Sequence, residues 1–368
     1  MSSSPNDSNH SAHQLLTILV ENKGSDLHLQ VGEAPVGRFD GRLGRFEMEA
    51  LTENNILSLT REILATDDRF KEFVTTKEFD TAIEFDDIGR FRANLFFQRG
   101  KPGMVLRSIG SEIPTLQTLG LPEVLRDLAT IQQGLILVTG ATGSGKSTTL
   151  AAMIDHINET QPRHIVTLED PIEYVHSNKV GLINQREIHV DSDSYASALK
   201  HVLRQDPDVI LIGEIRDVES VSTALTAAET GHLVFATLHT HDAAESLERL
   251  INMYPRENVQ QIRMQLSLGL HAILCQKLVP KVGGGRTAAM EILINTPRMS
   301  KLVLEGDTTK IPAAIQSSRS EKMQTFNQAL VDLVKAELLL EEDALEASPK
   351  ADELRMNFKG IYSGTSGL

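Results

Sequence analysis

The sequence predicts an α/β fold, a parallel sheet with helices on both faces, preceded by a smaller α+β region with its own core. Three observations carry this prediction. From about residue 123, apolar strand-like runs alternate with helix-like stretches. Residues Gly140 to Ser147 read G-A-T-G-S-G-K-S, set between one run of each kind. At 368 residues the chain is long enough for two cores.

Taken in chain order, residues 1–13 are polar and lack an apolar secretion core, which predicts a disordered tail. Residues 14–109 form the smaller domain. It opens with an amphipathic helix whose apolar face is Leu15, Leu16, Leu19 and Val20. Later, Phe91, Ala93, Leu95 and Phe97 alternate with Arg90, Arg92, Asn94 and Phe96. That alternation fits a half-buried antiparallel strand with an arginine-bearing outer face. Residues 110–122 read as a linker, and 123–345 as the larger domain. Its strands are expected at Leu135–Thr139, His164–Leu168, Val209–Gly213 and His232–Thr237. Helices are expected over Ser147–Asp155, Tyr195–Gln205 and Val218–Thr230, the last stopped by Gly231. A final helix carries Met323, Phe326, Leu330, Leu333, Val334 and Ala336, and residues 346–368 read as a polar tail.

Composition narrows the function class. The chain is 40% hydrophobic and 23% charged, as ordinary globular proteins are. A net charge of −14 argues against a broad nucleic-acid-binding face. The single cysteine, Cys275, excludes an internal disulfide framework and reads as a small buried side chain. No apolar run reaches the ~18 residues needed to span a bilayer. A soluble, cytoplasmic protein is expected.

The glycine-rich octet points to nucleotide phosphates. The strand, loop, helix order is the context such a loop requires. In it, Gly140, Ala141, Thr142, Gly143, Ser144, Gly145, Lys146, Ser147 and Thr148 are the candidate nucleotide contacts. Backbone N–H groups cradle the phosphates, Lys146 meets the β- and γ-phosphates, and the Ser147 hydroxyl holds Mg²⁺. ATP or GTP with Mg²⁺ is the implied ligand.

Ligands of such sheets bind beyond the carboxyl ends of the strands. Three further segments end there. Thr167-Leu-Glu-Asp-Pro-Ile-Glu173 brings Glu169, and Asp208-Val-Ile-Leu-Ile-Gly-Glu214 brings Glu214. Either carboxylate suits holding the Mg²⁺ shell or activating water, and the sequence does not apportion the two duties. Asp170 and Glu173 suit capping a following helix. The third segment, Gly231 to His241, carries His232, His239 and His241. No cysteine or matching ligand cluster accompanies them, so hydrogen bonding to phosphate or to a loop is favoured over a metal site. Arg92, Arg99 and Arg107 suit either surface salt bridges or, in a multimeric nucleotidase, charge supplied to the transition state.

With these motifs in hand, the chain resembles the secretion ATPase superfamily of type II and type IV systems, most nearly the type IV pilus retraction ATPases. Thr167 to His176 resembles the family's Asp box, Leu203 to Asp217 its Walker B region, and Gly231 to His239 its His box. Gly89 to Asn94, Gln98 to Gly100 and Val105 to Arg107 resemble its amino-terminal arginine segments. The resemblance implies a PAS-like domain followed by a RecA-like P-loop ATPase domain, assembled as a homohexamer that hydrolyses ATP. It also implies that Arg92 and Arg107 reach the nucleotide, and that Glu169, Glu214, Lys146, His232 and His239 form the catalytic set. The implied partner is the inner-membrane platform protein at the pilus base, giving peripheral membrane attachment; the acidic charge argues against a nucleic-acid partner. Extension and type II secretion ATPases usually carry a further amino-terminal domain and a four-cysteine motif, so retraction is favoured over extension. One departure stands out. Where retraction motors commonly read Ala-Ile-Arg-Asn-Leu-Ile-Arg, this chain reads Asp307-Thr-Thr-Lys-Ile-Pro-Ala-Ala-Ile315. That stretch looks more like the accessory retraction paralogue, so the alternatives are an accessory hexameric subunit acting beside a primary, paralogous retraction motor with hydrolysis dispensable, or a secretion or DNA-translocation ATPase.

Overall fold

The computed structural model describes residues 11–39, 41–109 and 112–361. It divides into two compact units, Met1–Glu112 and Ile113–Leu368. The expected tail at 1–13 falls mostly outside the described residues, as do residues 110 and 111 of the expected linker and the end of the carboxyl-terminal tail.

The first unit is built from α1 (Ala12–Glu21), β1 (Gly24–Gln30), β2 (Val36–Phe39), β3 (Arg42–Arg45), α2 (Glu53–Leu64), α3 (Asp67–Thr76), β4 (Glu78–Phe85), β5 (Gly89–Gln98) and β6 (Lys101–Ile109). Ser11 and Gln14 form a capping box that starts α1, and Thr52 with Asn55 does the same for α2. The six strands order as β3-β2-β1-β6-β5-β4 in one antiparallel sheet. Alternate side chains Phe91, Ala93 and Leu95 of β5 and Met104 and Leu106 of β6 join Leu15, Leu16, Leu19, Leu59 and Phe73 in one core. The opposite face leaves Arg92 and Arg107 exposed and directly paired across β5 and β6.

The second unit begins with Leu116 already buried, before α4 (Val124–Ala129). Then follow β7 (Gly134–Thr139), α5 (Lys146–Thr160), β8 (His164–Glu169), β9 (Leu182–Glu187), α6 (Tyr195–Val202), β10 (Val209–Ile212), α7 (Val218–Glu229), β11 (Leu233–Leu238), α8 (Ala243–Asn252), α9 (Val259–Gly269), β12 (Leu270–Pro280) and β13 (Arg286–Ile294). Helices α10 (Pro297–Glu305), α11 (Ile311–Ser317), α12 (Phe326–Lys335), α13 (Glu341–Ala347) and α14 (Ala351–Phe358) close the described chain. The sheet order is β13-β12-β7-β11-β10-β8-β9, parallel except for β13, which runs antiparallel to β12. The expected all-parallel sheet therefore gains an antiparallel edge. Strand side chains split by period two between two cores. Leu135, Leu137, Val234 and Ala236 face α6 to α9, while Ile136, Val138, Leu233 and Phe235 face α4 and α5.

Two differences from expectation lie at the carboxyl-terminal end. Residues 351–358 of the expected polar tail form α14, whose Leu354 is fully buried. Met323 precedes the final expected helix rather than lying in it, because Thr325 and Gln328 place a capping box there and start α12 at Phe326. Among the described residues no helix is long and apolar enough to cross a membrane.

Candidate functional site

Strand β7 is buried along its whole length and delivers the chain to the octet at the carboxyl end of the sheet. Gly140, Gly143 and Gly145 hold φ of +144°, +79° and +88°, conformations that a side chain strains. At Gly140 the space is missing too: a Cβ there would lie 2.4 Å from the Gln276 carbonyl oxygen. The loop delivers α5 with Gly145 at its N-cap and no side-chain cap, whereas Asp217 and Asp242 cap α7 and α8. The first N–H groups of α5 are thus open to an anion, with the helix dipole favouring negative charge. Lys146 Nζ donates to the carbonyl oxygens of Gly140 at 2.8 Å and Ala141 at 3.1 Å. Burial pulls its ammonium below the usual lysine range, against the attraction of Glu214 and Glu173. Ala141, Thr142, Gly143 and Ser147 are exposed, and the Thr148 hydroxyl meets the Tyr174 hydroxyl at 2.9 Å. The Ser144 hydroxyl is buried without a hydrogen-bond partner among the described residues. Such a cradle of open N–H groups, a lysine and hydroxyls fits a nucleotide's phosphates.

Parallel pairing places the ends of β8, β10 and β11 beside that of β7. Leu238 of β11 pairs with Thr139, and Ile212 of β10 pairs with both Ala236 and Leu168. Glu169 and Glu214 therefore emerge at the same end as the octet. Their surroundings differ. Glu169 accepts from the Thr167 hydroxyl at 2.6 Å and from Gln185 Nε2 at 3.2 Å. Burial outweighs these neutral donors and raises its pKa. Burial also acts on Glu214, but Arg216 and His239 outweigh it and hold the carboxyl below the usual range. Arg216 Nε donates to Glu214 Oε2 at 2.8 Å, and His239 Nε2 lies 3.4 Å from Oε1. Tyr195, at the start of α6, reaches the same corner, since its hydroxyl would lie 2.7 Å from a Cβ placed on Gly213. Burial and the Asp170 carboxylate push that phenol upward.

The structure separates the other candidates. His239 follows β11 at the site, but His232 precedes that strand and lies at the amino ends, where its carbonyl accepts from Gly134 N at 3.0 Å. One strand length, about 17–20 Å, separates it from the phosphate loop, so the expected catalytic role for His232 within this unit is corrected. Its Nδ1 instead meets the Ala227 carbonyl at the end of α7 at 3.0 Å. His241 serves the start of α8, its backbone N–H donating to Glu245 Oε2 at 2.7 Å. The helix-capping reading of Asp170 and Glu173 also fails, because the next regular element is strand β9. In the first unit, Arg107 Nε donates to Asp26 Oδ1 at 2.8 Å, and Asp26 is buried while Arg107 stays largely exposed. Burial would raise Asp26, but Arg107 and Ser25 hold its carboxyl below the usual range. Arg92 lies directly across from Arg107, and Arg99 stands in the β5–β6 turn at φ +52°.

Sequence reading missed Arg216, Gln185, Tyr195 and Gln276. Arg216 had a local signal, a cation two residues from Glu214. The others come from elements distant in sequence and had none.

Residues 90–284 match the family described as type II/IV secretion system protein. The type IV pilus retraction ATPase PilT of Pseudomonas aeruginosa is 44% identical over 90% of this chain and 96% of its own. The type IV pilus ATPase PilU of the same organism is 42% identical over 94% of this chain and 91% of its own. A crystal structure of the pilus retraction motor PilT with bound ADP superposes with a TM-score of 0.87 at 42% identity, covering 94% of this chain and 99% of that one.

Proposed function

The chain belongs to the type II/IV secretion ATPase family, and from that premise we propose that it is an ATP-hydrolysing motor that powers type IV pilus retraction. Its core is RecA-like and its chemistry is ATP hydrolysis. The observation that carries the reading is the convergence of the uncapped α5 terminus, Lys146 and Glu214 at one end of the parallel sheet.

Each residue's part follows from its surroundings. The N–H groups of the loop, apart from that of Ser144, and those that open α5 bind the phosphates, and Lys146 exchanges its two loop carbonyls for phosphate oxygens. Ser147 and Glu214 would hold Mg²⁺, which when bound supplies positive charge against the phosphates. We assign the reacting water to Glu214 because a proton acceptor must be ionised, and Arg216 with His239 keeps it so. Glu169, its oxygens engaged by Thr167 and Gln185, supports the same corner. His239 orients Glu214. Arg92 and Arg107 add positive charge to the transition state across a homohexameric ring. The ring docks on the inner-membrane platform protein at the pilus base, on the cytoplasmic side.

Steady-state ATPase activity of the purified protein, with oligomeric mass recorded in parallel, tests this. Turnover that disappears in Lys146→Ala supports the motor; equal rates in both proteins sink it. A second reading, an accessory ring beside a primary motor with hydrolysis dispensable, is favoured by one observation. Residues 307–315 depart from the retraction-motor motif and fold as a turn followed by α11. Motility restored to a deletion strain by Lys146→Ala would select that reading.

A further inference from the structure

Gln276 lies in β12, far in sequence from the octet, and is only 2% exposed. Both polar atoms of its side-chain amide are engaged by the loop and helix that follow β7. Nε2 donates to the Ser144 carbonyl at 2.8 Å, and Oε1 accepts from the Thr149 hydroxyl at 2.8 Å. These two partners bracket residues 145–148, the turn from loop into α5. The packing is equally close. A Cβ on Gly145 would lie 2.8 Å from Gln276 Nε2, and one on Gly140 would lie 2.4 Å from the Gln276 carbonyl oxygen.

We propose that Gln276 is the positioning residue of the phosphate loop, setting the direction of the N–H groups that meet the phosphates of a nucleoside di- or triphosphate. The inference rests on the ATP-binding reading above. A residue that only filled space here would be apolar, since burying an amide is costly unless its hydrogen bonds are made. An amide gives a hydrogen to the loop and takes one from the helix at once, which an apolar side chain of this size does not. The loop's own bonds, such as Ser144 N to Ala141 O at 3.1 Å, close the turn but do not tie it to the sheet. Gln276 does, and it thereby fixes the loop before the ligand arrives, which reduces the ordering cost of binding.

The test is ADP affinity by isothermal titration, with the melting temperature of each nucleotide-free protein recorded. Gln276→Met keeps the volume and removes both bonds. It is expected to weaken ADP about tenfold or more, from two buried groups left without partners. Gln276→Glu keeps the acceptor for Thr149, loses the donor to Ser144, and brings negative charge toward the phosphates, so a larger loss is expected. ADP binding by Gln276→Met within twofold of wild type overturns the inference and leaves ATP binding standing. Should Gln276→Met not fold, Thr149→Val decides by the same measurement. Weakening of about threefold supports the inference, and unchanged affinity overturns it. A wild type that binds no ADP overturns both this inference and the reading beneath it.

Discussion

The two ends of the parallel sheet are built from the same strands yet give their polar residues different partners. At the carboxyl ends lie the phosphate loop, Glu169, Glu214 and His239, and Glu291 of β13 pairs with Cys275, which pairs with Thr139 at the same level. At the amino ends lie His164 and His232, whose ring nitrogens meet backbone carbonyls of Asp206 and Ala227 at 3.0 Å each. The difference teaches how a parallel sheet makes a site. All its strands but β13 point one way, so residues just past them share one edge, while the helices that follow begin there and turn their N–H groups toward it. Residues just before the strands lie beside helix carboxyl ends, as at Ala227, and the loops that follow helices, as at Asp206, where ring nitrogens find carbonyl partners.

The largest expected effect tests the carboxyl end directly. Glu214→Gln removes the ionised carboxylate and should lower kcat about 10²–10⁴-fold in steady-state ATPase assays while ADP still binds. A variant with near wild-type kcat would break the assignment of the reacting water.

Next comes the cost of burying a carboxylate at that same end. Glu291 is pushed up to about 7 by burial, with Asp242 adding and the Ala243 N–H, Lys350 and Lys277 opposing. Its folded-state pKa lies above the ordinary value of 4.5, so the folded protein binds this proton more tightly than the unfolded chain. The corresponding stability is present below about pH 4.5 and is lost as the pH rises through about 7. Glu291→Gln keeps an acceptor for the Ala243 N–H and carries no charge. Between pH 5 and pH 8, urea unfolding should show it gaining about 2–3 kcal/mol over the wild type. Parallel pH profiles for the two proteins would contradict the buried-charge account.

His239→Ala sharpens the comparison within one strand. Loss of the group that orients and helps ionise Glu214 should reduce kcat about tenfold with little change in KM. The smallest effect is expected at the opposite end. His232→Ala removes one bond to the Ala227 carbonyl and should cost about 1 kcal/mol of stability, leaving kcat within about twofold. If His232→Ala instead matched His239→Ala in turnover, the division between the two ends would be wrong, and a neighbouring subunit's site would be the place to look for its partner.

Local pattern made much of the second unit legible. Continuous apolar runs gave β7, β8, β10 and β11 within a residue or so, because strands buried on both faces need no polar alternation. The amphipathic α1 and the alternating β5 were equally plain. Strands β9, β12 and β13 were not read. Leu182–Glu187 is an edge strand with polar residues, and β12 with β13 forms an antiparallel hairpin that breaks the strand–helix alternation. Helix α6 stops at Val202, three residues before Gln205, where its amphipathic pattern runs on.

The sequence by itself determined the phosphate loop, the positions of the buried strands along the chain and the end of the sheet at which Glu169 and Glu214 emerge. Those properties depend on residues adjacent in the chain, through strand period, glycine conformation and helix start. Only the tertiary structure decided that Glu214 meets His239 while Glu169 meets Gln185, and that Gln276 ties the phosphate loop to the sheet. Each of these depends on which strands become neighbours and which face a side chain takes. Burial and hydrogen bonding between distant segments set those outcomes, and no local spacing encodes them.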